Sequence, residues 1–173
     1  MSNDYSAQLI LIADDNPNNL KVLSETLNSF GYNVSVAING KAAVESAKVQ
    51  PPDLILLDVH MPEMDGYEAC KVLKSDNKTK EIPVIFISSL DEQFNKVKAF
   101  EVGAVDYITK PIQIEETRAR VDVHMQLNSK MQELDKFNKV MVDREMRIIE
   151  LKEEINKLSS ELGKNIPYPE VWE

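Results

Sequence analysis

A chain of 173 residues with 43% hydrophobic composition has room for one core of ordinary domain size plus an extension. Its net charge of −9 and pI near 4.8, with no basic run to overrule them, exclude a nonspecific nucleic-acid binder and favour a protein partner. No segment approaches the roughly 18 continuous apolar residues of a membrane span. The start Met1-Ser2-Asn3-Asp4-Tyr5 carries an acid where a signal peptide is basic, so a cytoplasmic protein is expected.

Taken in order, the chain alternates strand and helix. Gln8 to Ala13 is a continuous apolar run that ends on two acids, Asp14 and Asp15. Asn16-Pro17 supplies a cap and a proline at the first helical position, and Leu20, Leu23, Leu27 and Phe30 recur at helical spacing until Gly31. Tyr32 to Ala37 alternates as an outer strand. After Asn39-Gly40 a weaker helix carries Ala43, Val44 and Ala47 to the break at Pro51-Pro52. Asp53 to Asp58 contains four consecutive aliphatic residues between two acids, too short for a helix and apolar enough for a strand buried on both faces. Proline and glycine then punctuate the loop from Val59 to Gly66, where Asp65 can cap a third helix running to about Leu73. Cys70 on its apolar side is expected to be a buried structural thiol. Pro83 to Ser88 reads as the fourth strand, Asp91 to Glu101 as a helix with Phe94, Val97 and Phe100 on one side, and Ala104 to Ile108 as the fifth strand. Thr109-Lys110-Pro111 follows at once.

Five strand-helix units with short connections predict an α/β fold, a doubly wound five-stranded parallel sheet. The order 2-1-3-4-5 puts the switch point between strands one and three, the two that end in aspartates. Asp14, Asp15 and Asp58 should therefore converge on one cleft, joined by Ser88 and Lys110 from the neighbouring strand ends. Three carboxylates so close repel strongly unless a proton or a cation intervenes. Hard oxygen ligands without clustered histidine or thiolate favour Mg²⁺ or Mn²⁺ over zinc. Lys110 and Ser88 could then hold the oxygens of a phosphoryl group while Asp58 attacks it as nucleophile, forming a labile aspartyl phosphate.

These residues resemble a known family. Asp14-Asp15, Asp58, Ser88 and Lys110-Pro111, with Met61-Pro62-Glu63-Met64-Asp65-Gly66 after the central aspartate, are similar to the receiver domains of two-component response regulators, the CheY-like fold, over residues 7–125. The resemblance implies that Asp58 accepts phosphate from a histidine kinase or phosphotransfer protein. It also implies that Mg²⁺ is bound by Asp15, Asp58 and the main-chain carbonyl of His60, with Asp14 acting through water. Ser88 and Tyr107 would be a coupled switch, and the Lys110-Pro111 bond would be cis. His60 is not expected to ligate through its ring, His124 is assigned no role, and Met61 and Met64 are read as loop packing. Phosphatases and mutases of the haloacid dehalogenase type share a strand-end aspartate, but they carry a second aspartate two residues on, where this chain has His60. The chain is not expected to be an enzyme beyond its own phosphorylation and dephosphorylation.

From Ile112 onward the character changes, with no glycine until Gly163 and no proline until Pro167. A heptad frame puts Leu127, Leu134, Met141, Ile148, Ile155 and Leu162 at a and Lys130, Phe137, Arg144, Leu151 and Leu158 at d. Helix five should run on as a coiled coil, and a parallel homodimer is the expected use of that seam. The domain reading is a receiver over 1–125, a coiled-coil helix over 126–162 continuous with helix five and a flexible tail over 163–173. Three functional readings stay open: a stand-alone regulator, the front end of a longer kinase, phosphodiesterase or cyclase, and a receiver-like scaffold that takes no phosphate.

Overall fold

A computed structural model describes residues 8–89, 96–165, 167 and 168. The chain forms two units, one ending at Asn128 and the other starting at Ser129. In the first, strands β1 (Leu9–Ala13), β2 (Asn33–Ala37), β3 (Leu54–Asp58), β4 (Val84–Ser89) and β5 (Asp106–Lys110) pair in parallel in the order β2-β1-β3-β4-β5. Helices α1 (Pro17–Ser29), α2 (Gly40–Val49), α3 (Gly66–Ser75) and α4 (Lys96–Glu101) connect them, and α5 (Ile114–Glu161) follows β5.

The alternation of side chains along each strand divides the core in two. Leu11, Ala13, Ile55, Leu57 and Phe86 face one side and pack with Ala43, Ala47, Cys70, Leu73 and Ala99 of α2, α3 and α4. Ile10, Ile12, Leu54, Leu56, Ile85 and Ile87 face the other and meet Leu20, Leu23 and Leu27 of α1 and Val121 and Met125 of α5. Both faces of the central strands are therefore dry, which is why their sequences are nearly unbroken aliphatic runs.

The helix starts follow from local side chains. Asn16 and Asn39 cap α1 and α2, accepting from the N–H groups of Asn18 and Ala42. Asp65 caps α3 in a reciprocal box, accepting from Glu68 N–H at 2.7 Å while Glu68 accepts from Asp65 N–H at 3.1 Å.

Several boundaries and one face differ from the sequence reading: β1 and β3 each start one residue later than read, and β4 is shifted one residue on, to Val84–Ser89. β2 begins at Asn33, because the Tyr32 N–H still bonds back to the Leu27 carbonyl and so belongs to the turn that closes α1. α3 runs two residues beyond Leu73, to Ser75. β5 begins two residues late and ends on Lys110, because Ala104 N–H bonds to Ala99 carbonyl at the end of α4 and the ladder starts only at the Ile85–Asp106 pair. α4 buries Ala99, while Val97 and Phe100 are exposed; Phe100 instead lies edge-on to Tyr107 with ring centroids 6.5 Å apart. Phe94 and the other residues from 91 to 95 lie outside the described residues.

The second unit is helical. Its apolar seam residues Leu134, Phe137, Met141, Ile148, Leu151, Ile155 and Leu158 are all exposed in the single chain. The helix stops just before Gly163, which takes the left-handed φ of 64°. Beyond it, Tyr168 returns to the helix: its N–H donates to Asn156 Oδ1, its carbonyl accepts from Asn156 Nδ2, and the Lys152 ammonium lies 5.6 Å from its ring centre.

Candidate functional site

β1 and β3 are neighbours in register from Ile10 with Leu54 to Ala13 with Leu57. Adjacent parallel strands end at the same sheet edge, so the acids that terminate them are brought together. One carboxylate oxygen each from Asp14, Asp15 and Asp58 lies within 4.8 Å of the others. Asp14 is fully buried and Asp58 is 3% exposed, whereas Asp15 faces solvent.

Asp14 is fixed from two directions. Oδ1 accepts from Asn16 N–H at 2.8 Å, and Asn19 Nδ2 reaches both carboxylate oxygens, at 3.0 and 2.9 Å. Asn19 went unrecognised in the sequence, where one more polar residue in a first helical turn carries no signal. Its spacing was the available clue, since a side chain in that turn of α1 can reach back to the strand end that the helix starts from.

Lys110 supplies the compensating charge. Nζ is 2.8 Å from Asp58 Oδ2 and 3.1 Å from Asp14 Oδ2. Burial pushes the Asp58 carboxyl above its ordinary value of 3.8; Lys110 and the backbone N–H of His60 resist that rise, and the Asp14 charge adds to it. For Lys110, burial works against the charge, but the hydrogen bond to Asp58 and the charges of Asp58 and Asp14 outweigh it and raise its pKa. The Lys110-Pro111 peptide bond is cis.

The remaining predicted residues lie near this cluster with other partners. Ser88, buried near the end of β4, donates its hydroxyl to the Ser89 carbonyl at 3.3 Å. Tyr107 in β5 is half-buried beside Phe100, with the Lys96 ammonium 4.7 Å and the Arg120 guanidinium 5.9 Å from its ring centre. His60 contributes its backbone to the site. Met61 and Met64 pack against the core, as expected of loop methionines. His124, given no role by sequence, has Nε2 3.2 Å from Asp106 Oδ2, on the carboxylate that Arg120 grips at 2.8 Å through both oxygens.

The loop after β3 is held tightly. Gly66 N–H donates to Val59 carbonyl at 2.9 Å, and Glu63 takes a left-handed φ of 67° while its carboxylate accepts from Asn39 Nδ2 at 3.1 Å. The donor set is all hard oxygen, crowded and mostly dry, with one amine. That composition fits a small divalent cation and does not fit a soft metal.

Residues 10–122 match the family model described as the response regulator receiver domain. The chain belongs to this family. Receiver domains are the phosphoacceptor modules of two-component signalling. The chain is 42% identical over 123 residues, 71% of its length, to a probable cyclic di-GMP phosphodiesterase of Vibrio cholerae, of which it spans 28%. It is 35% identical over 132 residues, 76% of its length, to the DNA-binding dual master transcriptional regulator RpaA of Synechocystis, of which it spans 55%. Among solved structures, the receiver domain of the sensor histidine kinase PA1611 of Pseudomonas aeruginosa superposes with a TM-score of 0.64 at 31% identity, covering 69% of this chain and 98% of that one. That structure has a magnesium ion coordinated in its active-site cleft. The chain thus spans no more than about half the length of these two curated relatives. None of its described helices is long and apolar enough to cross a membrane.

Proposed function

We propose that Asp58 is the phosphoacceptor of this receiver, taking a phosphoryl group from the phosphohistidine of a cytoplasmic histidine kinase or phosphotransfer protein. The observation that carries this reading is the convergence of the Asp14, Asp15 and Asp58 carboxylates beyond the ends of β1 and β3, with the Lys110 ammonium from the end of β5 reaching two of them, Asp14 and Asp58. Asp15, Asp58 and the His60 carbonyl would hold Mg²⁺, or Mn²⁺ in its place, and Asp14 would support it through water. A cation there neutralises the crowded carboxylates and lets an anionic phosphoryl group approach them.

The protein's own groups do the rest. An Asp58 carboxylate oxygen forms the new O–P bond as the donor's N–P bond breaks, and the released imidazole takes up a proton. Lys110, already 2.8 Å from Asp58, shifts to the transferred phosphoryl oxygens, and the Ser88 hydroxyl exchanges its Ser89 carbonyl for another of them. Tyr107 follows Ser88, which changes the surface that Lys96, Phe100 and Arg120 form around its ring. The output passes along α5, whose exposed seam pairs with a second copy.

The chain makes no reaction product other than its own phosphorylated and dephosphorylated forms. A second reading, a receiver at the front of a longer catalytic protein, is favoured by the Vibrio relative, a probable phosphodiesterase of which this chain spans 28%. The coding sequence after Glu173 separates the two. For the phosphoacceptor itself, intact mass after incubation with Mg²⁺ and acetyl phosphate should show one added phosphate on the wild type and none on Asp58→Asn; a phosphorylated Asp58→Asn chain overturns the assignment.

A further inference from the structure

Charged residues on the helix of the second unit have opposite charges available three or four positions away on the same helix, where side chains meet. Lys130 is paired with Glu133 at 2.8 Å and Arg147 with Glu150 at 2.9 Å. Arg144 and Glu145 break this rule. The positions three and four away from Arg144 are Val140, Met141, Arg147 and Ile148, and those around Glu145 are Met141, Val142, Ile148 and Ile149. Neither has a complementary charge within its own helix. Both are exposed, and neither makes an ion pair among the described residues. Lys152 is in the same situation by sequence, but its ammonium rests over the Tyr168 ring.

The two uncompensated charges sit where the seam would use them. Arg144 is a d position and Glu145 the adjoining e position. In a parallel two-stranded coiled coil, a d side chain enters a hole formed by residues of the partner that include the e position of the same heptad. Arg144 of one copy then meets the unpaired carboxylate at 145 on the other, and symmetry supplies the pair twice. In an antiparallel pair with Leu127 opposite Leu158, the same arginine faces Met141 and keeps no partner.

In the parallel arrangement Lys130 and Arg144 at d each face the identical residue of the partner subunit, where the crossed carboxylates at 145 relieve the arginines. The g and e rows add one further unfavourable contact, between Arg147 at g and Lys152 at e. Its cost is reduced because Glu150 already pairs with Arg147 and the Tyr168 ring receives Lys152.

We propose that two copies of this chain join α5 in parallel, and that reciprocal pairs between Arg144 and Glu145 of the partner subunit set the register and orientation. This rests on the homodimer reading given above, and identifies the residues that select one pairing of the seam over others. A polar pair within an otherwise apolar seam lowers stability but discriminates strongly against shifted registers.

The test uses the full chain, with and without acetyl phosphate and Mg²⁺. Arg144→Glu and Glu145→Arg should each raise the dimer dissociation constant by about tenfold, since each places like charges across the interface. Mixed in equal amounts, the two variants should form heterodimers well above the statistical half, because both crossed pairs become complementary; native mass spectrometry reads the ratio. The double variant should return to within about threefold of the wild type. Leu158→Cys should form a disulfide between identical positions under oxidising conditions. Single variants that dimerise like the wild type, a statistical mixture, or a failure of Leu158→Cys to cross-link to itself overturns the proposed pairing while leaving a dimer in place. A wild type that stays monomeric in both conditions overturns the homodimer reading itself.

Discussion

Gly66 lies directly beneath the backbone of Asp58: a Cβ built at Gly66 comes within 2.2 Å of the Asp58 carbonyl oxygen and 2.9 Å of Val59 Cα. These atoms are main chain at the end of a buried strand, so they cannot rotate away as a side chain could. Gly66→Ala is expected to push the β3 terminus off its position, costing about 1–3 kcal/mol in a urea melt. It should also slow phosphorylation by acetyl phosphate, because Asp58 moves relative to Lys110. An alanine variant with wild-type stability and rate would mean that the α3 start shifts instead.

Asp58 illustrates a conflict between stability and chemistry. Burial raises its folded pKa above the ordinary 3.8, with only partial relief from Lys110. A raised carboxylate contributes stability that is full below the unfolded value and is lost as pH rises through the folded one. At neutral pH without divalent cations, Asp58→Asn is therefore expected to raise the melting temperature while abolishing phosphorylation. The difference should close as the pH is brought below about 4. A less stable Asp58→Asn at pH 7 would show that the Lys110 ion pair outweighs the burial cost.

The strand order and the acid cluster could be read from sequence because parallel strands buried on both faces need long aliphatic runs, and an acid after such a run has to sit at an edge. What stayed hidden depends on three-dimensional approach. Gly66 looks like any loop glycine until Asp58 is seen above it. Asn19 looks like a solvated helix residue until Asp14 is behind it. In α4 the bulk of the apolar side chains misled: small Ala99 is buried while Val97 and Phe100, read as the packed side, stand outside, Phe100 edge-on to Tyr107. His124 was one histidine without a nearby ligand partner in sequence; its partner, Asp106, lies across the join of β5 and α5.

That join makes a separate prediction. Burial disfavours charge on Asp106, but the Tyr107 N–H and the Arg120 and His124 side chains outweigh it and hold its pKa below 3.8. A depressed carboxylate contributes stability that is present above the unfolded value and lost as pH falls through the folded one. Asp106→Asn should cost about 1–3 kcal/mol at pH 7, between the values for exposed and buried ion pairs. The gap from wild type should narrow only below about pH 4, in chemical melts taken across that range. An Asp106→Asn chain as stable as the wild type at pH 7 would show that the cost of burying the carboxylate cancels these partners.

Cys70 supplies a probe of core integrity. Its side chain is fully buried, with Sγ 3.4 Å from the Val102 carbonyl, and burial raises its pKa to about 11 against a weaker opposing effect from Lys74. The thiolate is the reactive form, so the native thiol should resist a disulfide reagent at neutral pH and react fully once urea unfolds the domain. The raised pKa also means that Cys70 contributes stability that is full below the unfolded value near 9 and is lost as pH rises towards about 11. Cys70→Ala should therefore lose less stability than the wild type across that alkaline interval, although it starts lower because a buried side chain has been shortened. Rapid labelling of the folded wild type at neutral pH would show that the α3 contact with the Val102 segment opens in the native state.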